Sequence, residues 1–276
     1  MSAQGAAATL AAAARCCSHS IRLLAYRPPT DRTHDPLLVS NIIEQITWVD
    51  IGPRVSVRNS SEAHYATDAK GRRWVRKSAT EITEGGLLAE ALYLLLAKEL
   101  EVPTADGAVH CGSDLAWLSL VIRPVTHWDP HLAPTVKNLP EIGRIVALDG
   151  IVGCWDRHPG NLLLQVTDDV TQHAWAIDAD HSVIRDPRAL AALGTGIAHE
   201  TMGPRGLPME QIAGEARATA ARAANLEASA LSAYVREACT IAGEQNVNLL
   251  HDALLERCRR APGITERYLD LIGSLK

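Results

Sequence analysis

The sequence predicts an α+β fold with two lobes, a small β-rich lobe at residues 42–122 and a larger α-rich lobe at residues 123–276. Short runs rich in β-branched and aromatic residues dominate residues 42–78, whereas apolar residues at helical spacing dominate after residue 187. The chain has 276 residues, of which 47% are hydrophobic, so it can bury a sizeable core. We expect a ligand cleft between the two lobes.

The bulk composition excludes several classes of function. The net charge is −5 and the sequence pI is about 6.1, which predicts no nucleic-acid partner because such partners need a basic face. No apolar run is long enough for a bilayer, so we predict no membrane span. The six cysteines show neither a CxxC pair nor zinc spacing, and no secretory signal is evident. Reduced thiols in a cytoplasmic protein are therefore expected.

Residues 1–41 are predicted to be a poorly ordered tail. Residues 1–30 contain no Asp or Glu and are rich in Ala, a composition that transit peptides share, and this alternative stays open. Residues 27–37 carry three prolines in a polar run, which is typical of a linker.

The small lobe is predicted to contain four short strands, at residues 46–49, 55–57, 63–67 and 73–77. The last two flank Asp68-Ala69-Lys70-Gly71, a turn sequence that predicts a hairpin. Alternation in the last strand places Val75 and Lys77 on the same face.

Apolar spacing predicts one helix in the small lobe, at residues 84–100, which ends before Pro103. Residues 117–123 are predicted to be a buried strand that joins the lobes. The larger lobe is predicted to contain helices at residues 139–155, 208–226, 228–243 and 246–260.

Residues 156–178 combine polar side chains with a predicted hairpin. Asp156 and Asn161 lie five residues apart in a short loop that follows a helix. Asp178 follows the second of two β-rich runs that flank a polar turn. These runs are residues 162–166 and 173–177. Taken alone, the first two polar residues could simply cap and turn the chain.

The register assumed for this hairpin brings the polar residues together. If Val166 pairs with His173, Asn161 lies opposite Asp178, with Cα atoms about 4.5–5.5 Å apart. An amide oxygen and a carboxylate that converge suit Mg²⁺, which takes one or two protein carboxylates plus phosphate oxygens and water. Asp156 lies upstream on the same rim, where it can accept a proton from a hydroxyl group.

Two motifs carry a family resemblance. Asp156-Arg157-His158-Pro159-Gly160-Asn161 is similar to the catalytic loop Asp-Arg-His-x-x-Asn of phosphoinositide kinases. Ile177-Asp178-Ala179-Asp180-His181 resembles their Ile-Asp-Phe-Gly-His metal motif. HipA-like kinases share the spacing of the Asp and the Asn. The sequence thus resembles the HipA-like and phosphoinositide 3- and 4-kinase-like branch of the protein-kinase-like fold.

The resemblance implies that Asp156 orients and deprotonates an acceptor while His158 braces the loop. It implies that Asn161 and Asp178 bind Mg²⁺. The implied reaction is Mg²⁺-dependent transfer of the γ-phosphoryl group of ATP to a hydroxyl group. By analogy alone, the expected acceptor is a protein Ser or Thr.

Residues upstream resemble the phosphate-binding part of the same family. Gly71-Arg72-Arg73-Trp74-Val75-Arg76-Lys77 looks like the strand that delivers the phosphate-binding lysine. The resemblance implies that Lys77 neutralises the α- and β-phosphates of ATP and that Glu90 holds Lys77. Arg76 is the competing cation, although alternation turns it to the opposite face. Glu84 is the competing carboxylate.

The sequence departs from the family pattern at two places. The phosphate loop expected near residues 58–62 contains no Gly, so the amides of Ser60 and Ser61 are the candidate phosphate ligands. Asp180 stands where the phosphoinositide kinases carry Gly. In the segment that joins the lobes, backbone groups near Ile122 are expected to bind adenine. The departures leave open a pseudokinase that binds nucleotide or a partner without turnover.

Other functions stay open as well. A small-molecule kinase or nucleotidyl transfer from the same cleft is compatible with these residues. A lipid acceptor is disfavoured because no basic amphipathic helix is evident. His158 and His181 could join Asp156 and Asp178 in a transition-metal site of a hydrolase, although no metal-ligand spacing supports it.

Overall fold

The structure is a computed structural model that describes residues 42–55, 62–168, 170–198 and 203–275. The tail predicted at residues 1–41 lies outside these ranges, and so do Ser60 and Ser61 of the expected phosphate loop. Within the described ranges, strands dominate the N-terminal part and helices the C-terminal part, which confirms the α+β prediction. No helix in these ranges is long and apolar enough to cross a membrane.

A six-stranded sheet forms the N-terminal part of the fold. Its strands are β1 (Glu44–Ile46), β2 (Val49–Arg54), β3 (Ala63–Asp68), β4 (Arg73–Ser78), β5 (Gly107–Cys111) and β6 (Leu115–Leu120). They lie in the order β1-β5-β6-β4-β3-β2, and only β1 and β5 pair in parallel. The predicted hairpin is confirmed in β3 and β4, where the Asp68 carboxylate accepts the backbone N–H groups of Lys70 and Arg72 at 2.9 Å.

The bounds 46–49 predicted for the first strand are wrong, and of the second predicted strand, 55–57, only Val55 lies within the described residues. β1 ends before Thr47, and β2 continues through Gly52 and Pro53 to end before Val55. Gly and Pro weaken a strand pattern, but an edge strand with an irregular register tolerates both.

The helices are α1 (Gly86–Glu99), α2 (Ile142–Val152), α3 (Pro187–Leu193), α4 (Met209–Ala224), α5 (Ala228–Ala242), α6 (Val247–Arg259) and α7 (Ala261–Ser274). The five helices predicted from apolar spacing are confirmed to within a few residues at their ends. The main apolar core contains residues from both sides of residue 122, the predicted boundary between the lobes. It includes Leu92 in α1, Leu148 in α2 and Leu231 in α5.

α1 is buried on nearly all sides. Every residue from Gly86 to Ala97 is buried, as the apolar composition around the whole helix requires. α1 packs against β6 on the sheet and against α5 of the C-terminal part. The Tyr234 hydroxyl of α5 also donates to Glu99 Oε2 at 2.5 Å. The helix that carries Glu90 is therefore clamped between both parts of the fold.

A second sheet contains β7 (Val125–His127), β8 (Leu162–Val166) and β9 (Gln172–Ala176) in that order. Val166 pairs with Gln172, so the assumed pairing of Val166 with His173 is wrong by one residue. Asn161 consequently lies opposite Ile177, whose N–H donates to the Asn161 carbonyl at 3.1 Å.

The turn between β8 and β9 explains the shifted register. Asp168 Oδ1 accepts the backbone N–H groups of Val170 and Thr171 at 3.1 and 2.8 Å. The N–H of Thr167 donates to the Thr171 carbonyl at 3.0 Å. The side chain of Asp168 thus closes a tight turn, and Gln172 joins the strand instead of the turn.

Candidate active site

Lys77 of β4 is the centre of a buried cluster of charged side chains. Its Nζ lies 3.2 Å from Glu90 Oε1, 2.5 Å from Asp178 Oδ1 and 3.6 Å from Asp180 Oδ2. Glu90 Oε2 accepts the N–H of Ala179 at 3.2 Å, which ties α1 to the segment after β9. The structure therefore brings together the predicted residues Lys77, Glu90 and Asp178.

The competing residues lie elsewhere. Arg76 points to the opposite face of β4, where it is buried and paired with Asp114. Glu84 is exposed to solvent, before the start of α1. Alternation in β4 and the spacing of α1 thus select Lys77 and Glu90 as the buried pair.

The pKa values of the three carboxylates in the cluster shift in different directions: that of Asp178 is lowered, and those of Glu90 and Asp180 are raised. Burial alone would raise the pKa of Asp178, but Lys77 holds this pKa below its usual range. Burial lowers the pKa of Lys77, yet Asp178 and Glu90 more than offset this and raise it above its usual range. Burial raises the pKa of Glu90, and burial together with Asp178 raises the pKa of Asp180 to about 8. One ammonium therefore faces more carboxylate groups than it can neutralise.

The loop from Asp156 to Asn161 is held by its own polar groups. Asn161 Nδ2 donates to the Asp156 carbonyl at 2.9 Å. His158 Nδ1 accepts the N–H of Gly160 at 2.9 Å, and a Cβ at Gly160 would lie 2.7 Å from the His158 ring. His158 therefore braces the loop, in a position from which a Cβ at residue 160 would displace its ring. Asp156 Oδ1 is buried and accepts no hydrogen bond from the described residues.

Asp178 lies two residues after the end of β9 and adopts the left-handed backbone conformation, with φ of 61°. This conformation is uncommon outside Gly, and Asp is among the residues that tolerate it. Because Ile177 is the residue opposite Asn161, Asp178 lies one residue beyond that pair and reaches Lys77. The predicted juxtaposition of Asn161 and Asp178 as directly opposed hairpin residues is therefore wrong.

Arg157 connects the loop to the end of β9, and sequence reasoning missed this role. Its guanidinium donates to both carboxylate oxygens of Asp149, at 2.9 and 3.0 Å, and to the carbonyls of Asn161 and Ile177. The Tyr93 hydroxyl of α1 donates to the same Asp149 carboxylate at 3.1 Å. Burial lowers the pKa of Arg157, but the Asp149 carboxylate outweighs burial and keeps this pKa well above its usual range.

A small cavity adjoins this cluster, lined in part by Glu90, Trp117, Ser119 and Asp178. Ile122 follows β6 and is half-buried, just before the cis Arg123–Pro124 peptide bond. The adenine contact expected there stays a prediction.

The structure lends no support to a transition-metal hydrolase. Across the described ranges, no three His, Cys, Asp or Glu side chains converge into a metal site of their own. One ring nitrogen of His158 accepts the Gly160 amide, and His181 packs edge-on against Trp155 with ring centroids 6.1 Å apart.

Comparisons with known proteins give a likeness in fold only. No protein-family model and no curated protein matches the sequence. The structure is similar to that of CtkA, a proinflammatory kinase of Helicobacter pylori, with a TM-score of 0.57 and 9% identity over 83% of this chain and 99% of that chain. It also matches the HipA, HipB and operator DNA complex of Shewanella oneidensis MR-1, with a TM-score of 0.47 and 15% identity over 79% of this chain and 67% of that chain.

The likeness to CtkA defines the class: the chain has a protein-kinase-like fold. The prediction of this fold, made from the motifs around Asp156 and Asp178, is confirmed.

Proposed function

We propose that the protein is an ATP-dependent phosphotransferase that uses Mg²⁺ to transfer the γ-phosphoryl group to a hydroxyl group, with a protein Ser or Thr as acceptor. The observation that carries this proposal is the buried contact of Lys77 with Glu90 and Asp178 inside a protein-kinase-like fold. Phosphoryl transfer depends on positioned charge more than on covalent chemistry, and this cluster supplies positioned charge.

Lys77 is proposed to bind the α- and β-phosphates, with Glu90 fixing its position from α1. Backbone groups near Ile122 are proposed to bind adenine. The amides of Ser60 and Ser61 are proposed to cover the phosphates.

The chemistry of the site fits Mg²⁺. Asn161 and Asp178 are proposed to hold the ion, which when bound would neutralise charge on the phosphate oxygens. The excess of carboxylates around Lys77 and the buried, unpartnered Oδ1 of Asp156 both support a site that gains from a divalent cation. Mg²⁺ accepts few protein ligands because phosphates and water complete its shell.

Asp156 is proposed to orient the acceptor hydroxyl and take its proton. His158 and Arg157 hold the loop around it, through the Gly160 amide and through the carbonyls of Asn161 and Ile177. Neither residue needs to contact the substrate to do this.

We also propose a cytoplasmic location. Cys154, Cys239 and Cys258 are buried free thiols in the described ranges, which suits a reducing compartment.

A catalytically weak nucleotide-binding module is the second candidate. It is favoured by the absence of Gly from residues 58–62 and by the hydrogen bonds that commit Lys77 to Glu90 and Asp178.

The first test is ATP binding by thermal shift, with and without Mg²⁺, for the wild type, Asp178→Ala and the control Asp252→Asn. A ligand that binds only the folded state raises the melting temperature by mass action. We expect a Mg²⁺-dependent rise that Asp178→Ala removes and Asp252→Asn keeps, since Asp252 is exposed on α6. No shift at millimolar ATP would overturn the proposal.

The second test is transfer of labelled phosphate from ATP to generic protein acceptors, followed by phosphoamino-acid analysis. Asp156→Asn should reduce transfer by about 10²- to 10⁴-fold while leaving ATP binding intact, because a general base contributes on that scale. Wild-type protein that binds Mg²⁺ and ATP but transfers no phosphate would favour the nucleotide-binding module.

A further inference from the structure

Asp180 is the carboxylate of the cluster for which the proposed function assigns no role. It is only 1% exposed, and its Oδ2 lies 3.6 Å from Lys77 Nζ. It follows Asp178 by two residues, where the phosphoinositide kinases that the sequence resembles carry Gly. A buried carboxylate is costly unless its oxygens are paired.

One oxygen of Asp180 has no hydrogen-bond partner. Oδ1 is buried and accepts no hydrogen bond from the described residues, and His181 Nε2 lies 3.8 Å away, beyond hydrogen-bond distance. Buried polar atoms are nearly always paired, so this oxygen is available to a further partner, either a bound cation or a water molecule.

The main-chain contacts of Asp180 do not explain its side chain. The hydroxyl of Thr83 donates to the Asp180 carbonyl at 3.3 Å, a contact that any residue could make. The carboxylate itself is directed at Lys77, which already hydrogen-bonds Glu90 and Asp178. If all three carboxylates are ionised, they carry more negative charge than one ammonium can neutralise, and a divalent cation would neutralise the excess.

We propose that Asp180 is a metal-binding residue that shares one divalent cation with Asp178, each through a carboxylate oxygen. Lys77 then leaves Asp178 and turns toward the phosphates, while Glu90 keeps its hold on Lys77. Mg²⁺ and Mn²⁺ both accept such oxygen ligands. The inference deepens the proposed function and rests on it for the role of Lys77, but it can be tested without nucleotide.

The test is a titration of the nucleotide-free protein with Mn²⁺. Binding is measured by electron paramagnetic resonance, because the signal of free Mn²⁺ decreases as the ion binds. The variants are Asp180→Asn, which keeps the shape and removes the charge, and Asp180→Gly, which installs the residue of the resembling kinases. Asp252→Asn is the matched control, and unfolding curves without metal show whether each variant is folded.

We expect Asp180→Asn and Asp180→Gly each to weaken Mn²⁺ binding at least about tenfold, because even indirect supports of a metal ligand are worth 10- to 100-fold. Asp252→Asn should bind like the wild type. Wild-type affinity in either folded Asp180 variant, or no Mn²⁺ binding by the wild type at millimolar metal, would overturn the inference.

Phosphate transfer separates this inference from the proposed function. Transfer by the wild type together with unchanged Mn²⁺ affinity in Asp180→Asn would reject only the role of Asp180. Weakened Mn²⁺ binding in Asp180→Asn with no transfer by the wild type would reject only the phosphotransferase.

Discussion

The buried pair of Arg157 and Asp149 offers a quantitative test of the site. Both side chains are at most 2% exposed, and the guanidinium binds both carboxylate oxygens. Removing one partner of such a pair costs about 3–5 kcal/mol because it leaves a buried charge uncompensated. Replacing both partners by apolar residues of similar size removes that penalty, so the double change should cost much less than the sum of the single ones.

We therefore expect Arg157→Met and Asp149→Leu each to lower the free energy of unfolding by about 3–5 kcal/mol, with a coupling of about 3 kcal/mol in the double variant. Some cost remains in the double variant, since Ile177 loses a hydrogen-bond donor and Tyr93 loses an acceptor. Urea unfolding followed by tryptophan fluorescence measures all four proteins.

The exposed pair of Arg217 and Glu266 is a matched control. Its atoms are 2.6 Å apart, closer than those of the buried pair, but the side chains are 57% and 49% exposed. A cycle on this pair should give a coupling of only about 0.2–1 kcal/mol because water screens it. Additivity within about 0.5 kcal/mol at Arg157 and Asp149 would refute the view that this pair holds the loop as a unit.

Three further predictions concern stability. The raised pKa of Asp180, about 8 in the folded state, means that the folded protein holds a proton which an unfolded aspartate loses near pH 4, so wild-type stability should fall as pH rises from about 4 to 8. Asparagine does not titrate, so the free energy of unfolding of Asp180→Asn should rise relative to that of the wild type between pH 5.5 and pH 8. Urea unfolding in buffer with EDTA measures this difference, and a constant difference would contradict the prediction. Gly85→Ala should destabilise the fold by at least about 1 kcal/mol, because φ is 72° there and the new Cβ would overlap the Arg185 carbonyl. Gly214→Ala, in α4 with open space around it, should stabilise by about 0.5–1 kcal/mol. Urea unfolding measures both Gly variants, and equal shifts for the two would contradict the steric argument.

Local patterns were enough to predict the hairpin that carries Lys77 and the helix that carries Glu90. Alternation in β4 depends only on the strand itself, and the spacing of α1 depends only on its apolar residues. The pairing of the two residues was implied by the family resemblance, and the structure brings them within 3.2 Å. The small buried residues of β5 show no alternation, so that strand could not be predicted.

The register of β8 and β9 could not be predicted for a different reason. It depends on whether the Asp168 side chain closes the turn, and several turns of similar length are compatible with the same residues. A slip of one residue moved Asp178 from opposite Asn161 to one position beyond it.

The sequence does contain a signal that could have predicted one half of the pair of Arg157 and Asp149. Asp149 is the one charged residue between Ile145 and Val152, an apolar stretch of helix, and a buried carboxylate in that setting requires a cation. The identity of the cation depends on how the chain returns after Gly153, which no local pattern encodes.

The burial of α1 on nearly all sides has a consequence for binding. A helix that must first become ordered costs about 1–2 kcal/mol per residue in backbone entropy, and that cost weakens the binding of any ligand that orders it. Here α5 and the sheet hold α1 in place before a ligand arrives. A ligand that contacted Lys77 would therefore not have to order α1 first, and any rotation of α1 would break its packing against α5 and the sheet.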